Sequence, residues 1–126
     1  MPDINITEEY LREHPDHIFV FGDNLQRWGH GGAAALRSEP NVYGFVTKKA
    51  PTYKDSDFYT VEEYILVYKK ECEKLEEIIV QNPTNTYMIS RVGGGIANKY
   101  KIWEEVIEPD ILERFKKYDN VKFLWI

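Results

Sequence analysis

The chain carries one cysteine, Cys72, which leaves no internal disulfide and no thiolate metal cluster of the usual kind. Histidine is nearly as scarce. His14, His17 and His30 show no i,i+4 helical spacing and have no cysteine partners, so no metal site is expected. Asp55 and Asp57, alternate residues in a loop, read as a solvated pair. No apolar run approaches the roughly 18 residues of a membrane span, and no basic stretch leads into an apolar one at the amino terminus. The expectation is a cytoplasmic protein with no membrane attachment and no cofactor. Basic residues are also in deficit, with a formal net charge of -5. That balance argues against general nucleic-acid binding while leaving room for a local basic pocket.

What is present describes one folded domain. The 126 residues are enough to bury a core without metal or disulfide, and 43% hydrophobic with 29% charged residues is an ordinary globular balance. Thr7 predicts a capped helix over 8–13, ended by His14-Pro15. Residues 17–22 read as a strand buried on both faces. A short helix is expected over 32–37, a strand over 42–47, and a tethered loop over 48–58. Thr60-Val61-Glu62-Glu63 has the pattern of a capping box. Tyr64, Tyr68, Cys72, Leu75 and Ile79 then recur at three- and four-residue spacing as one apolar stripe. A strand over 86–90 and a helix from about 101 to 118 follow, with Pro109 as a kink. Residues 121–126 read as a last strand, for which interior placement is the simpler outcome; if exposed, it could pair with a second copy, a route to a homo-oligomer. This order is α/β, with crossovers that favour a mainly parallel sheet flanked by helices in three layers.

The 8 glycines concentrate in two loops, each directly after an apolar strand. The first runs from Gly22 through Asp23, Asn24, Trp28, Gly29, His30, Gly31 and Gly32 to Ala33. The second runs from Arg91 through Gly93, Gly94, Gly95 and Asn98 to Lys99. Glycine permits close backbone approach, and successive N–H groups form anion-binding concavities. In an open α/β sheet both loops fall at the carboxyl ends of strands, where ligands bind, and a helix after Gly31-Gly32 would offer its N-terminus to a phosphate. The spacing is neither a dinucleotide fingerprint nor a P-loop. A phosphate-bearing small molecule held between the loops is the expected ligand.

Several side chains extend that expectation. Asn24 can both donate to and accept from a ribose hydroxyl or base edge, and Asp23-Asn24 can equally form an Asx turn. Trp28 could stack on a base or pack the loop. Arg91, at a strand end before three glycines, could clamp a phosphate bidentately, and Lys48 and Lys49 could reach the same edge. Asn98 could touch ligand or cap the following helix. Asp23, His30 and Lys99 are the candidates for acid–base or bond-breaking chemistry, should there be any. Cys72 sits on the apolar stripe as a small buried hydrophobe.

The segments Val20-Phe21-Gly22-Asp23-Asn24, Gly29-His30-Gly31-Gly32-Ala33-Ala34, Tyr43-Gly44-Phe45-Val46-Thr47-Lys48-Lys49 and Ile89-Ser90-Arg91-Val92-Gly93-Gly94-Gly95-Ile96-Ala97 resemble a small uncharacterised family of phages and bacteria over nearly the whole chain. A phage-encoded member would work in the host cytoplasm. More distantly the arrangement resembles macrodomains, which bind ADP-ribose and sometimes hydrolyse ADP-ribosyl bonds. That resemblance implies that Asn24 and Gly31-Gly32 stand for the macrodomain asparagine and first glycine loop, and Gly93-Gly94-Gly95 for the diphosphate loop. This chain is shorter than a full macrodomain, has no adenine-binding aspartate in an early segment, and lacks the glutamate pair of poly(ADP-ribose) glycohydrolases. Three functions follow as expectations: binding of a nucleotide or ADP-ribose-like ligand, glycosidic or ADP-ribosyl hydrolysis, and engagement of a host protein through the tyrosine-rich loop.

Overall fold

A computed structural model describes residues 5–126. Four parallel strands, β1 (His17–Asn24), β2 (Val42–Lys48), β3 (Thr86–Ile89) and β4 (Val121–Phe123), form one sheet in the order β2-β1-β3-β4. The helices are α1 (Glu8–Glu13), α2 (Val61–Gln81) and α3 (Glu108–Phe115). The α/β class and the parallel pairing expected from the sequence are both present. β4 lies at an edge of the sheet, where an interior place was expected.

The two sheet faces are covered by different elements. Alternate residues of β1 and β3, such as Val20, Tyr87 and Ile89, join the large core with Tyr64, Cys72, Leu75 and Ile79 of α2 and with Ile111 and Phe115 of α3. On the other face Phe19 and Met88 pack with Leu11 of α1, Leu36 and Leu124. This alternation is the period-2 pattern of a strand buried on both sides.

α2 begins as its sequence predicts. Glu63 N–H donates to Thr60 Oγ1 at 3.3 Å, and Thr60 N–H donates to Glu63 Oε1 at 3.0 Å. The helix then closes the exposed edge of β2: Val46 N–H donates to Glu71 Oε1 at 2.8 Å, and Tyr64 O–H donates to Val46 O at 2.6 Å. Glu71 is thus a buried carboxylate that seals an edge strand against further pairing.

The departures from expectation have local causes. Gly32–Ala34 forms a single 3₁₀ turn, not a helix over 32–37, because the chain turns again at once to bring Arg37 back toward β1. A turn this short has no appreciable macrodipole. The segment expected as one helix from 101 divides into a π turn, Trp103–Ile107, and α3. Pro109 has no N–H to give to the preceding turn, and the chain accommodates it with a wide loop in which Glu108 N–H donates to Trp103 O. Lys101, at φ 69, ends the preceding 3₁₀ turn Ile96–Tyr100. The final strand stops at Phe123.

Candidate functional site

The strand order reverses direction at β1. The chain leaves β1 toward β2 on one side, and leaves β3 toward β4 on the other, so the loops after β1 and β3 part and open a crevice between them. A cleft of about 530 Å³ occupies this crevice. Gly22, Asp23, Asn24, Trp28, Gly29, Gly31 and Gly32 line it from the first loop, and Arg91, Gly93 and Gly95 from the second. Lys48, Pro51, Thr52 and Tyr53 supply a third wall.

Asp23 organises the first loop. It is only 5% exposed, and both its oxygens are engaged by Arg37, whose Nη2 and Nη1 lie 2.5 Å from Oδ1 and 3.0 Å from Oδ2. Arg27 Nη1 adds a bond to Oδ2 at 3.1 Å, and Asn24 N–H donates to Oδ1 at 2.8 Å. Arg37 also donates to the carbonyls of Gly29 (2.7 Å) and Trp28 (3.3 Å). One guanidinium therefore ties a buried carboxylate to the loop backbone, a bidentate pairing lysine could not reproduce. Gly44 makes room for it: a Cβ there would overlap Asp23 Oδ2.

Asn24 donates from Nδ2 to Trp28 O at 2.8 Å, while its buried Oδ1 has no hydrogen-bond partner among the described residues. A buried acceptor left unpaired costs free energy unless something else supplies a donor. The loop backbone offers the opposite deficit. The N–H groups of Gly31, Gly32 and Ala33 on one side of the cleft, and of Gly95, Ile96 and Ala97 on the other, find no acceptor among the described residues. The glycines differ in what they are for. A Cβ on Gly93, at φ +81, would lie 2.5 Å from Ile107 Cδ1, so the fold itself requires glycine there. Gly31 has φ -88 and ψ 150, which any residue adopts, and a Cβ would meet nothing within 4 Å among the described residues.

The cations of the cleft are Lys48 and Arg91, neither with a carboxylate in ion-pairing distance among the described residues. Lys48 Nζ donates to Thr52 O at 2.8 Å, and burial draws its pKa below the ordinary lysine value, opposed by nearby Asp57. Arg91 lies across the Trp103 ring, 4.7 Å from its centroid, and donates to Gly94 O at 3.1 Å. With Asp23 neutralised by Arg37 and Arg27, the cleft is left with positive charge.

The remaining residues singled out from sequence lie elsewhere. His30 is exposed and bonds Ser38 Oγ at 2.9 Å. Lys99 pairs with Asp55, which raises its pKa, and this exposed pair joins the turn Ile96–Tyr100 to the 48–58 loop. Asn98 accepts from Trp103 N–H at 2.9 Å and donates to Glu104 at 2.8 Å, so it caps the following π turn. Gly94 borders a neighbouring cleft of about 460 Å³ on the α1 side, where a Cβ would press on Arg91. Lys49 pairs with Glu63 at 2.7 Å. Asp23, His30 and Lys99 therefore do not converge on one point. Arg37 and Arg27 were absent from the sequence-level site. The signal for them was Asp23 itself, since a carboxylate closing an apolar strand needs a cation partner.

Among the described residues no group of three or more potential ligands could hold a metal ion, and no helix is long and apolar enough to cross a membrane. Residues 2–98 match the model of a family of unknown function, DUF7831, and the chain belongs to that family. The match takes in β1, β2, β3, the first glycine loop and the second as far as Asn98. No curated protein and no solved structure gives a match.

Proposed function

We propose that the chain binds a phosphate-bearing small molecule, a nucleotide or an ADP-ribose-like ligand, in the cleft between its two glycine loops. The reading is supported by loop N–H groups that find no acceptor among the described residues, three from Gly31–Ala33 and three from Gly95–Ala97, on residues that line one cleft. Adjacent backbone N–H groups make a seat for phosphate oxygens. Lys48 and Arg91 supply charge on either wall, and Arg91 has the planar fork that fits a phosphate. The volume falls within the ~300–1,000 Å³ of small-molecule sites.

Binding without turnover is favoured over hydrolysis. Asp23 is held by two guanidiniums, His30 lies outside the cleft, and Lys99 is engaged by Asp55. Such a protein would be a reduced, macro-like binder acting in the cytoplasm. A thermal-shift screen over ADP-ribose, NAD, cyclic nucleotides and nucleoside phosphates tests it, followed by product analysis of every hit. A raised melting temperature with no product is expected. No shift with any phosphate ligand contradicts the reading, and release of a product moves the chain to the hydrolases.

A further inference from the structure

The mouth of the cleft carries two large rings that the anion seat does not use. Trp28 is 56% exposed and Tyr53 is 70% exposed, yet both line the cleft. Neither ring fills the core, and each forgoes the burial that makes aromatic side chains useful to a small domain. The segments bearing them touch: a Cβ on Gly29 would lie 3.3 Å from Pro51 Cβ. Both rings are tethered at their edges or faces. The Trp28 indole N–H donates to Gln26 Oε1 at 2.8 Å, and the Lys48 ammonium stands 5.0 Å from the Tyr53 ring centroid. The Trp28 carbonyl, not its ring, is what Arg37 and Asn24 grip.

We propose that Trp28 and Tyr53 grip a planar heterocycle, so that the site selects nucleoside phosphates over sugar phosphates and free pyrophosphate. This rests on the glycine-loop cleft being an anion seat. Every nucleobase offers a π-face, so stacking selects the class of ligand rather than one base.

Calorimetry with ADP and ADP-ribose, which carry a heterocycle, and with ribose 5-phosphate and pyrophosphate, which do not, tests the clamp. Wild type should favour the first pair by about tenfold or more, the scale of one base–aromatic stack. Trp28→Ala and Tyr53→Ala should each remove most of that preference, leave the second pair unchanged and keep the melting temperature. Trp28→Phe should retain it. Since Trp103 is buried and Trp125 half-buried, exposed Trp28 emission should be quenched by ADP and not by ribose 5-phosphate. Equal wild-type affinity for both pairs, or an alanine effect shared by both, overturns the clamp and leaves the anion seat standing. Failure of all four ligands to bind overturns the seat, and the clamp falls with it.

Discussion

Arg91 either clamps a ligand phosphate or only braces its loop against Trp103, and the two roles predict different losses on substitution. Among the described residues it stacks on Trp103, bonds the Gly94 carbonyl and has no carboxylate in ion-pairing distance, although the Asn98 hydrogen bond and, more weakly, the Arg91 charge help hold the pKa of exposed Glu104 down. Arg91→Ala is expected to weaken binding of a phosphate ligand by about 1.5–3 kcal/mol, the scale of a hydrogen bond to a charged group. Arg91→Lys keeps the charge but loses the fork, and should fall between alanine and wild type. Calorimetry and thermal melts on the same variants decide the matter: destabilisation with wild-type affinity would remove Arg91 from the site. Its position could be read from the sequence because it follows a strand and precedes three glycines. The partners of Asp23 could not. Arg37 lies 14 residues away and reaches back only because the chain turns twice after Gly32.

At the scale of elements, the first loop is held by the Asp23–Arg37 pair and two carbonyl bonds. Removing the cation strands a buried carboxylate, a change on the order of 3 kcal/mol even with Arg27 still in reach. Arg37→Met is therefore expected to lower the melting temperature and weaken ligand binding together, whereas Arg91→Ala weakens binding alone. Chemical denaturation beside calorimetry checks it, and an unchanged stability would show that the loop is held by other means. The stripe and cap of α2 were legible because their signals are local, from Thr60 to Ile79. The π turn was not, because Pro109 announces a break without saying how the preceding turn absorbs it. Cys72 on that stripe has its pKa pushed up to about 12 by burial, with the Tyr68 hydroxyl opposing. An unfolded thiol ionises near the ordinary cysteine value, so the folded state loses its advantage as pH rises from about 9 toward 12. Wild type should thus lose stability over that range more steeply than Cys72→Ala, as melts across pH would show; parallel curves would mean the thiol is not the group responsible. At neutral pH a thiol reagent should leave Cys72 unmodified until the protein unfolds.

For the whole molecule, sheet order does the decisive thing. Sequence pattern placed two glycine loops after two strands, but whether those strands are neighbours is a long-range fact that no local pattern encodes. The order β2-β1-β3-β4 makes them adjacent and sends their loops apart, which creates the cleft. It also explains why part of the candidate set scattered: Asn98 and Lys99 follow the second loop into its 3₁₀ turn, and each is taken up by a structural partner. If the open space beside Gly31 is kept for a ligand, a side chain there should block binding without unfolding the protein. Gly31→Val fills that space, and Gly93→Ala is the contrasting variant whose Cβ meets Ile107. Gly93→Ala should lose stability, of the order of 1–3 kcal/mol for a strained and overpacked site. Gly31→Val should melt with wild type and show no binding heat with a nucleotide or ADP-ribose that wild type binds. A folded Gly31→Val protein with wild-type affinity for that ligand would show that the space beside Gly31 is not the binding site.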